Sequence, residues 1–171
     1  MKSKIIPTSV EKKLNDNDFI VSKTDNKGRI TYCNQIFIDM SGYTEAELIG
    51  QQHNIIRHPD MPRAVFHLLW QTLEQGKEFF GYVKNMRKDG GFYWVYANIT
   101  PRLPVANKLG YYSVRRKARQ EIVDAIIPLY DKMLKEEQRV GTKDAITAST
   151  LILENRLSKL GTNYEDFSRE Y

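Results

Sequence analysis

Two short turn signatures set the strongest limit on this chain. Thr24-Asp25-Asn26-Lys27-Gly28 and Lys88-Asp89-Gly90-Gly91 each lie between two apolar-rich runs. Asn and Gly adopt the positive φ that a narrow reversal needs, so each signature reads as a β-hairpin. The first hairpin joins strands over Asp18–Lys23 and Arg29–Cys33, and the second joins Glu78–Arg87 and Phe92–Arg102. A further strand, Lys108–Arg115, follows a loop over Pro101–Asn107. Helical pieces fill the space between the hairpins: Asn34–Met40, Thr44–Leu48 with a Thr44/Glu47 capping box, and Met61–Leu73. The order β-β-α-α-α-β-β-β excludes a helical bundle and a doubly wound parallel sheet. It reads as an α+β chain built on antiparallel hairpins.

Both ends differ from this middle. Residues 8–17 read as a short helix or arm before the first strand. From Ala118 the pattern becomes helical: Ile122, Ile126, Leu129 and Met133 form one stripe through residue 138, with Pro128 as a candidate kink. After Gly141-Thr142, Ile146, Leu153, Leu157 and Leu160 form a second stripe, stopped by Gly161. The expected divisions are an arm over 1–17, a sensor-sized domain over 18–117 and a helical extension over 118–171.

Composition narrows the function classes. With Cys33 as the single cysteine in 171 residues, a disulfide scaffold and a cysteine zinc site are excluded. His53 and His58 are five apart, a spacing that does not place both rings on one helix face, so no metal site is expected. The start lacks a signal-peptide pattern and no run of about 18 apolar residues occurs. The expectation is therefore a cytoplasmic chain with no membrane span. The net charge of +5 is modest and mixed along the chain. Its densest cluster, Arg115-Arg116-Lys117-Ala118-Arg119, reads as a solvated face or partner contact, and no nucleic acid is expected. The glycines sit at turns, and no phosphate loop or Ser/His/Asp set appears, which argues against an enzyme.

Several strings resemble those of PAS sensor domains: Ile30-Thr31-Tyr32-Cys33-Asn34, Ser41 to Gly50, and Lys88-Asp89-Gly90. A more specific set is His53-Asn54-Ile55-Ile56-Arg57-His58-Pro59-Asp60-Met61-Pro62, then Phe66 and Trp70, Val83 to Lys88, and Tyr93 to Asn98. Together these are similar to the FAD-binding PAS domain of bacterial aerotaxis receptors over roughly residues 18–130. That resemblance implies an α+β PAS fold, a five-stranded antiparallel sheet with short helices on one face and a C-terminal helical extension, together with non-covalent FAD and signalling of flavin redox state. With no membrane anchor of its own, the chain would act on a separate membrane-bound, methyl-accepting-type receptor at the inner face of the membrane. Self-association through the PAS domain or the C-terminal helices is a further expectation.

The resemblance carries a role to Asn85: strand alternation separates Val83, Asn85 and Arg87 from Tyr82, Lys84 and Met86, and an amide among apolar neighbours suits a flavin's pyrimidine edge. Asn98 is a second polar candidate, and Asn34 is either a ligand contact or a helix cap. Arg57 is expected to pair with the diphosphate as a planar donor fork, helped by amides at the next helix N-terminus, and the resemblance makes His53, His58 and Asp60 of the same segment cofactor-binding candidates. The plainer reading makes Asp60 a helix cap before Pro62. Trp70 with Phe66 is either core or a wall beside the ring, and Phe79 is an aromatic candidate at the strand start. Two alternatives stay open: a haem-binding PAS domain with His58 or His67 as ligand, and a cofactor-free interaction module. Cysteinyl-adduct photochemistry is excluded, because residues 51–57 contain no cysteine and Cys33 ends a strand.

Overall fold

The computed structural model describes residues 5–105 and 108–170. Five strands form one sheet: β1 (Ile20–Asp25), β2 (Ile30–Cys33), β3 (Phe79–Met86), β4 (Phe92–Val105) and β5 (Lys108–Lys117). Their order is β2-β1-β5-β4-β3, with every neighbouring pair antiparallel. The α+β PAS-type sheet read from the sequence is therefore the observed one. The expected 101–107 loop is mostly strand, since β4 runs on to Val105 and Val105 pairs with Lys108; residues 106 and 107 lie outside the described residues.

Local chemistry explains the connecting helices. Helix α1 (Gln35–Ser41) starts at Asn34, whose Oδ1 accepts the Phe37 amide, and stops at Gly42. Helix α2 (Glu45–Leu48) carries the complete Thr44/Glu47 capping box. A 3₁₀ turn over His53–Ile56 leads to α3 (Arg63–Glu74). That helix begins two residues later than expected. Asp60 does not cap it: Pro62 holds the N-cap position, and the Asp60 carboxylate pairs instead with Lys84 Nζ at 2.6 Å.

The N-terminal segment is an extended arm, not a helix. Its Thr8 amide donates to Gly90 O, and Lys12 N and Val10 O bond the two backbone groups of Phe92. Gly90 has to be glycine there: an added Cβ would lie 2.3 Å from Ile6 O, and φ is +89°.

The C-terminal extension folds back on the same core as α4 (Gln120–Val140), α5 (Ala145–Leu160) and α6 (Tyr164–Glu170); α4 continues through Pro128, and α6 has no counterpart in the sequence reading. Helix α5 packs on α3, and α6 packs on β3. Leu153, Leu157, Tyr164 and Phe167 are buried in one cluster with the sheet residues Tyr82, Tyr93 and Trp94. Tyr164 Oη comes close enough to β3 that a Cβ at Gly81 would meet it at 2.8 Å. Among the described residues no helix is long and apolar enough to cross a membrane.

Candidate functional site

A cavity of about 250 Å³ lies between the sheet and the 53–57 and α3 segments. Pairing dictates its sheet wall. Opposed residues in an antiparallel ladder share a face, so Val83, Asn85, Ala97, Ile99, Ser113 and Arg115 all point into it. The opposite wall is Ile56, Phe66, Leu69 and Leu73, and the mouth is rimmed by Gln52, Asn54 and Trp70. Trp70 is 40% exposed and meets Tyr111 edge-to-face at 5.4 Å, so it is a rim residue and not core.

Polar groups interrupt this apolar lining at few points. Asn85 is 4% exposed; neither its Nδ2 nor the Oη of its cross-strand neighbour Tyr93 makes a hydrogen bond of normal geometry, although the amide is close enough to counter part of the rise that burial imposes on the Tyr93 pKa. Arg57, bridged to Asn85 through the backbone, lays its guanidinium 4.1 Å from the Phe66 ring centre. His53 stacks on Phe37 at 5.8 Å and shares a 3.2 Å hydrogen bond with Ser22 Oγ. Burial, then the Arg115 charge, push its pKa down to about 3, so it is neutral. Arg115 is 2% exposed, donates from Nη2 to Ser22 Oγ at 2.6 Å, and leaves Nε and Nη1 without a partner.

Of the residues expected from the sequence, Asn85, Arg57, His53, Phe66 and Trp70 line the cavity together. The others do not. Asn34 spends its amide on the Phe37 and Val21 amides and the Phe19 carbonyl. Asn98 has the opposite strand parity to Ala97 and Ile99 and donates to Glu78 Oε2. Phe79 stacks on Tyr164 at 5.7 Å and so anchors the C-terminal helices. His58 is buried outside the lining: its Nδ1 accepts the Asp60 amide, and burial followed by the Lys84 charge lowers its pKa to about 4. The amides at the α3 N-terminus, expected to face a phosphate, are taken by Glu137 of α4. Its Oε1 accepts from Arg63 N at 2.8 Å and Ala64 N at 3.4 Å.

Arg115 is the residue the sequence reading missed. It stands in the basic run whose composition suggests a solvated face or a partner contact, yet β5 alternation turns it inward while Arg116 covers Tyr96 on the outer face and Lys117 pairs with Asp16. The parity it shares with Ser113 was the available signal. Neither His58 nor His67, the histidines named for haem, lines this cavity; His67 lines a separate groove between α3 and α5. Buried Cys33 does not line the cavity either. The cavity thus offers a mainly apolar slot with side-chain amides at Gln52, Asn54 and Asn85 and guanidinium groups at Arg57 and Arg115, which suits a heterocycle with hydrogen-bonding edges.

The family model described as PAS fold matches residues 30–114. The chain is 46% identical over 117 residues to the aerotaxis receptor of Escherichia coli, covering 68% of this chain and 23% of that protein. It is 36% identical to the nitrogen fixation regulatory protein of Klebsiella pneumoniae, covering 54% of this chain and 19% of that protein. The chain therefore spans about a fifth to a quarter of these relatives' lengths. Among solved structures, a light-oxygen-voltage domain studied with a flavin analogue superposes with a TM-score of 0.57 at 21% identity, covering 66% of this chain and 87% of that one. The light-state Aureochrome1 LOV domain gives 0.55 at 19% identity, covering 70% and 91%. Antiparallel sheet order, helical wall and sequence kinship agree, and the chain belongs to the PAS family.

Proposed function

We propose that this chain is a sensor, not a catalyst, and that it holds FAD non-covalently in the cavity. Its signal is the flavin's redox state, passed to a separate membrane-bound receptor of the chemotaxis type at the inner face of the membrane. The observation that carries the reading is Asn85: a buried amide on the cavity wall whose Nδ2 makes no hydrogen bond of normal geometry, beside the equally unpaired hydroxyl of its cross-strand neighbour Tyr93. A donor left so costs about 1–3 kcal/mol unless a ligand satisfies it. Kinship with an aerotaxis receptor and fold likeness to a domain studied with a flavin analogue support a flavin as that ligand. At about 250 Å³ the cavity takes one ring system, so the remainder of a dinucleotide would lie toward the rim residues Gln52, Asn54 and Trp70.

A bound flavin supplies a reversible redox change in which one ring nitrogen turns from hydrogen-bond acceptor to donor. Asn85 answers by presenting Nδ2 or Oδ1. One such bond is worth about 0.5–1.5 kcal/mol net, which shifts a balanced two-state element up to roughly tenfold. Strand β3 carries Asn85 and also supports the C-terminal helices. Tyr130 Oη donates to Tyr82 O and Ser168 Oγ to Phe80 O, so a shift at Asn85 bears on α4 and α6 directly.

An absorption spectrum of the purified full chain tests the cofactor. The paired near-ultraviolet and blue bands of a flavin are expected, with FAD released on heating and identified by chromatography. A single Soret band or no visible band overturns the reading. For the mechanism, Asn85→Ala should retain some flavin yet lose the redox dependence of receptor binding. An unchanged redox response would sink it.

A further inference from the structure

Arg115 is a buried cation with only part of its hydrogen-bonding capacity used. Nη2 serves Ser22, the guanidinium carbon lies 4.5 Å from the Phe37 ring centre, and Nε and Nη1 are free of protein partners. Among the described residues no carboxylate forms an ion pair with it. Burial lowers its pKa to about 10, which leaves it charged at neutral pH. An unpaired buried charge is strongly unfavourable for folding, and an apolar side chain of similar length would relieve that cost.

The groups around it are fixed. Ser22 Oγ accepts from Arg115, so its own hydrogen is free to donate to His53 Nε2. The direction of the Ser22–His53 bond follows the imidazole tautomer, since Oγ keeps a second lone pair as well as its hydrogen. The chain Arg115–Ser22–His53 therefore holds the guanidinium in one orientation, beside the stacked Phe37 and His53 rings.

We propose that Arg115 selects the ligand of this cavity, one two-donor edge of its guanidinium, completed by the Nη2–H that Ser22 leaves free, taking adjacent acceptor atoms on one edge of a planar heterocycle, with Ser22 and His53 as positioning residues. Arginine has donors only, in a rigid planar fork, so it accepts carbonyl oxygens and unprotonated ring nitrogens and rejects an edge of N–H groups. The proposal rests on the flavin reading, in which that edge is the N1 and C2-carbonyl side of the isoalloxazine ring.

The test uses the full chain, its Arg115→Met and Arg115→Lys variants, flavin-depleted protein, and two probes: FAD and its 1-deaza analogue, in which ring N1 is carbon. Flavin-depleted Arg115→Met should unfold at higher urea than the depleted parent, because the unpaired charge is gone. Its dissociation constant for FAD should rise roughly tenfold to a hundredfold. The parent should prefer FAD over the 1-deaza analogue by about tenfold, and Arg115→Met should show no preference. Arg115→Lys keeps the charge without the fork and should recover only part of the affinity. Unchanged FAD affinity in Arg115→Met overturns the proposal, and so does a depleted Arg115→Met less stable than the parent, since Arg115 is then a strut. Should the methionine variant fail to fold, full affinity in Arg115→Lys overturns selection by the fork. A parent without flavin overturns the functional reading and this proposal together. Flavin in the parent with indifferent variants overturns this proposal alone.

Discussion

The cavity wall and the C-terminal shell bury polar groups to a similar depth and treat them in opposite ways. In the shell, Glu137 Oε1 accepts two amides of α3 and the Ser149 hydroxyl at 2.6 Å. Tyr130 Oη donates to Tyr82 O at 2.9 Å and lies 3.0 Å from Tyr164 Oη. At the wall, Asn85 Nδ2 and Arg115 Nε and Nη1 make no hydrogen bond of normal geometry. Satisfied buried polar groups fasten elements to each other, whereas unsatisfied ones weaken the fold and are retained where a ligand completes them. By this contrast the shell is built for assembly and the wall for binding.

If the contrast holds, mutations in the shell cost stability while mutations at the wall cost binding. The largest effect should come from Glu137→Ala, which strands the Arg63 and Ala64 amides and the Ser149 hydroxyl. Urea unfolding should show a loss of about 3 kcal/mol. A loss below about 1 kcal/mol would erase the distinction between the two regions. Tyr130→Phe comes next: it leaves Tyr82 O and the Tyr164 hydroxyl short of a partner, at a cost of about 1–2 kcal/mol in the same assay.

The smallest effect sharpens the wall side. His53 and His58 are neutral in the fold, with pKa values of about 3 and about 4 against 6.5 for a free histidine. Below pH 6.5 the unfolded chain binds protons that the folded chain refuses, so stability falls as pH falls and is regained on raising it. Between pH 7 and 6 the loss should stay below about 1 kcal/mol for each histidine, and His53→Gln should flatten the slope in a urea-midpoint series across pH. A midpoint that rises on acidification would contradict neutral histidines, His53 at the wall and His58 outside it.

How far the sequence could be read follows from the range of each interaction. The hairpins and the Thr44/Glu47 capping box were legible because four or five neighbouring residues define them. The face on which Asn85 lies was legible because strand parity is local, whereas its role rests on the family resemblance. Asn34 and Asp60 show the limit: a short polar residue before a helix has several local uses, and the neighbours Phe19 and Lys84 that decide between them lie 15 and 24 positions away. Glu137 capping α3 across 74 positions left no local trace. Arg115 was obscured because a basic run suggests solvent, although in a strand consecutive charges must part to opposite faces.

Strand β3 ends the sheet, and its outer rim carries no strand. Instead the rim is occupied piecemeal: Ser168 and Tyr130 take the Phe80 and Tyr82 carbonyls, Met61 Sδ accepts the Lys84 amide, and Arg57 bridges Asn85. Half of that cover comes from the C-terminal helices and half from the segment beside the cavity. Lifting the helices would bare a ready hydrogen-bonding template, the kind of surface to which another chain adds as a strand. Docking of the tail and availability of this rim are therefore mutually exclusive, and the outermost strand works as a seat that the protein's own tail keeps taken.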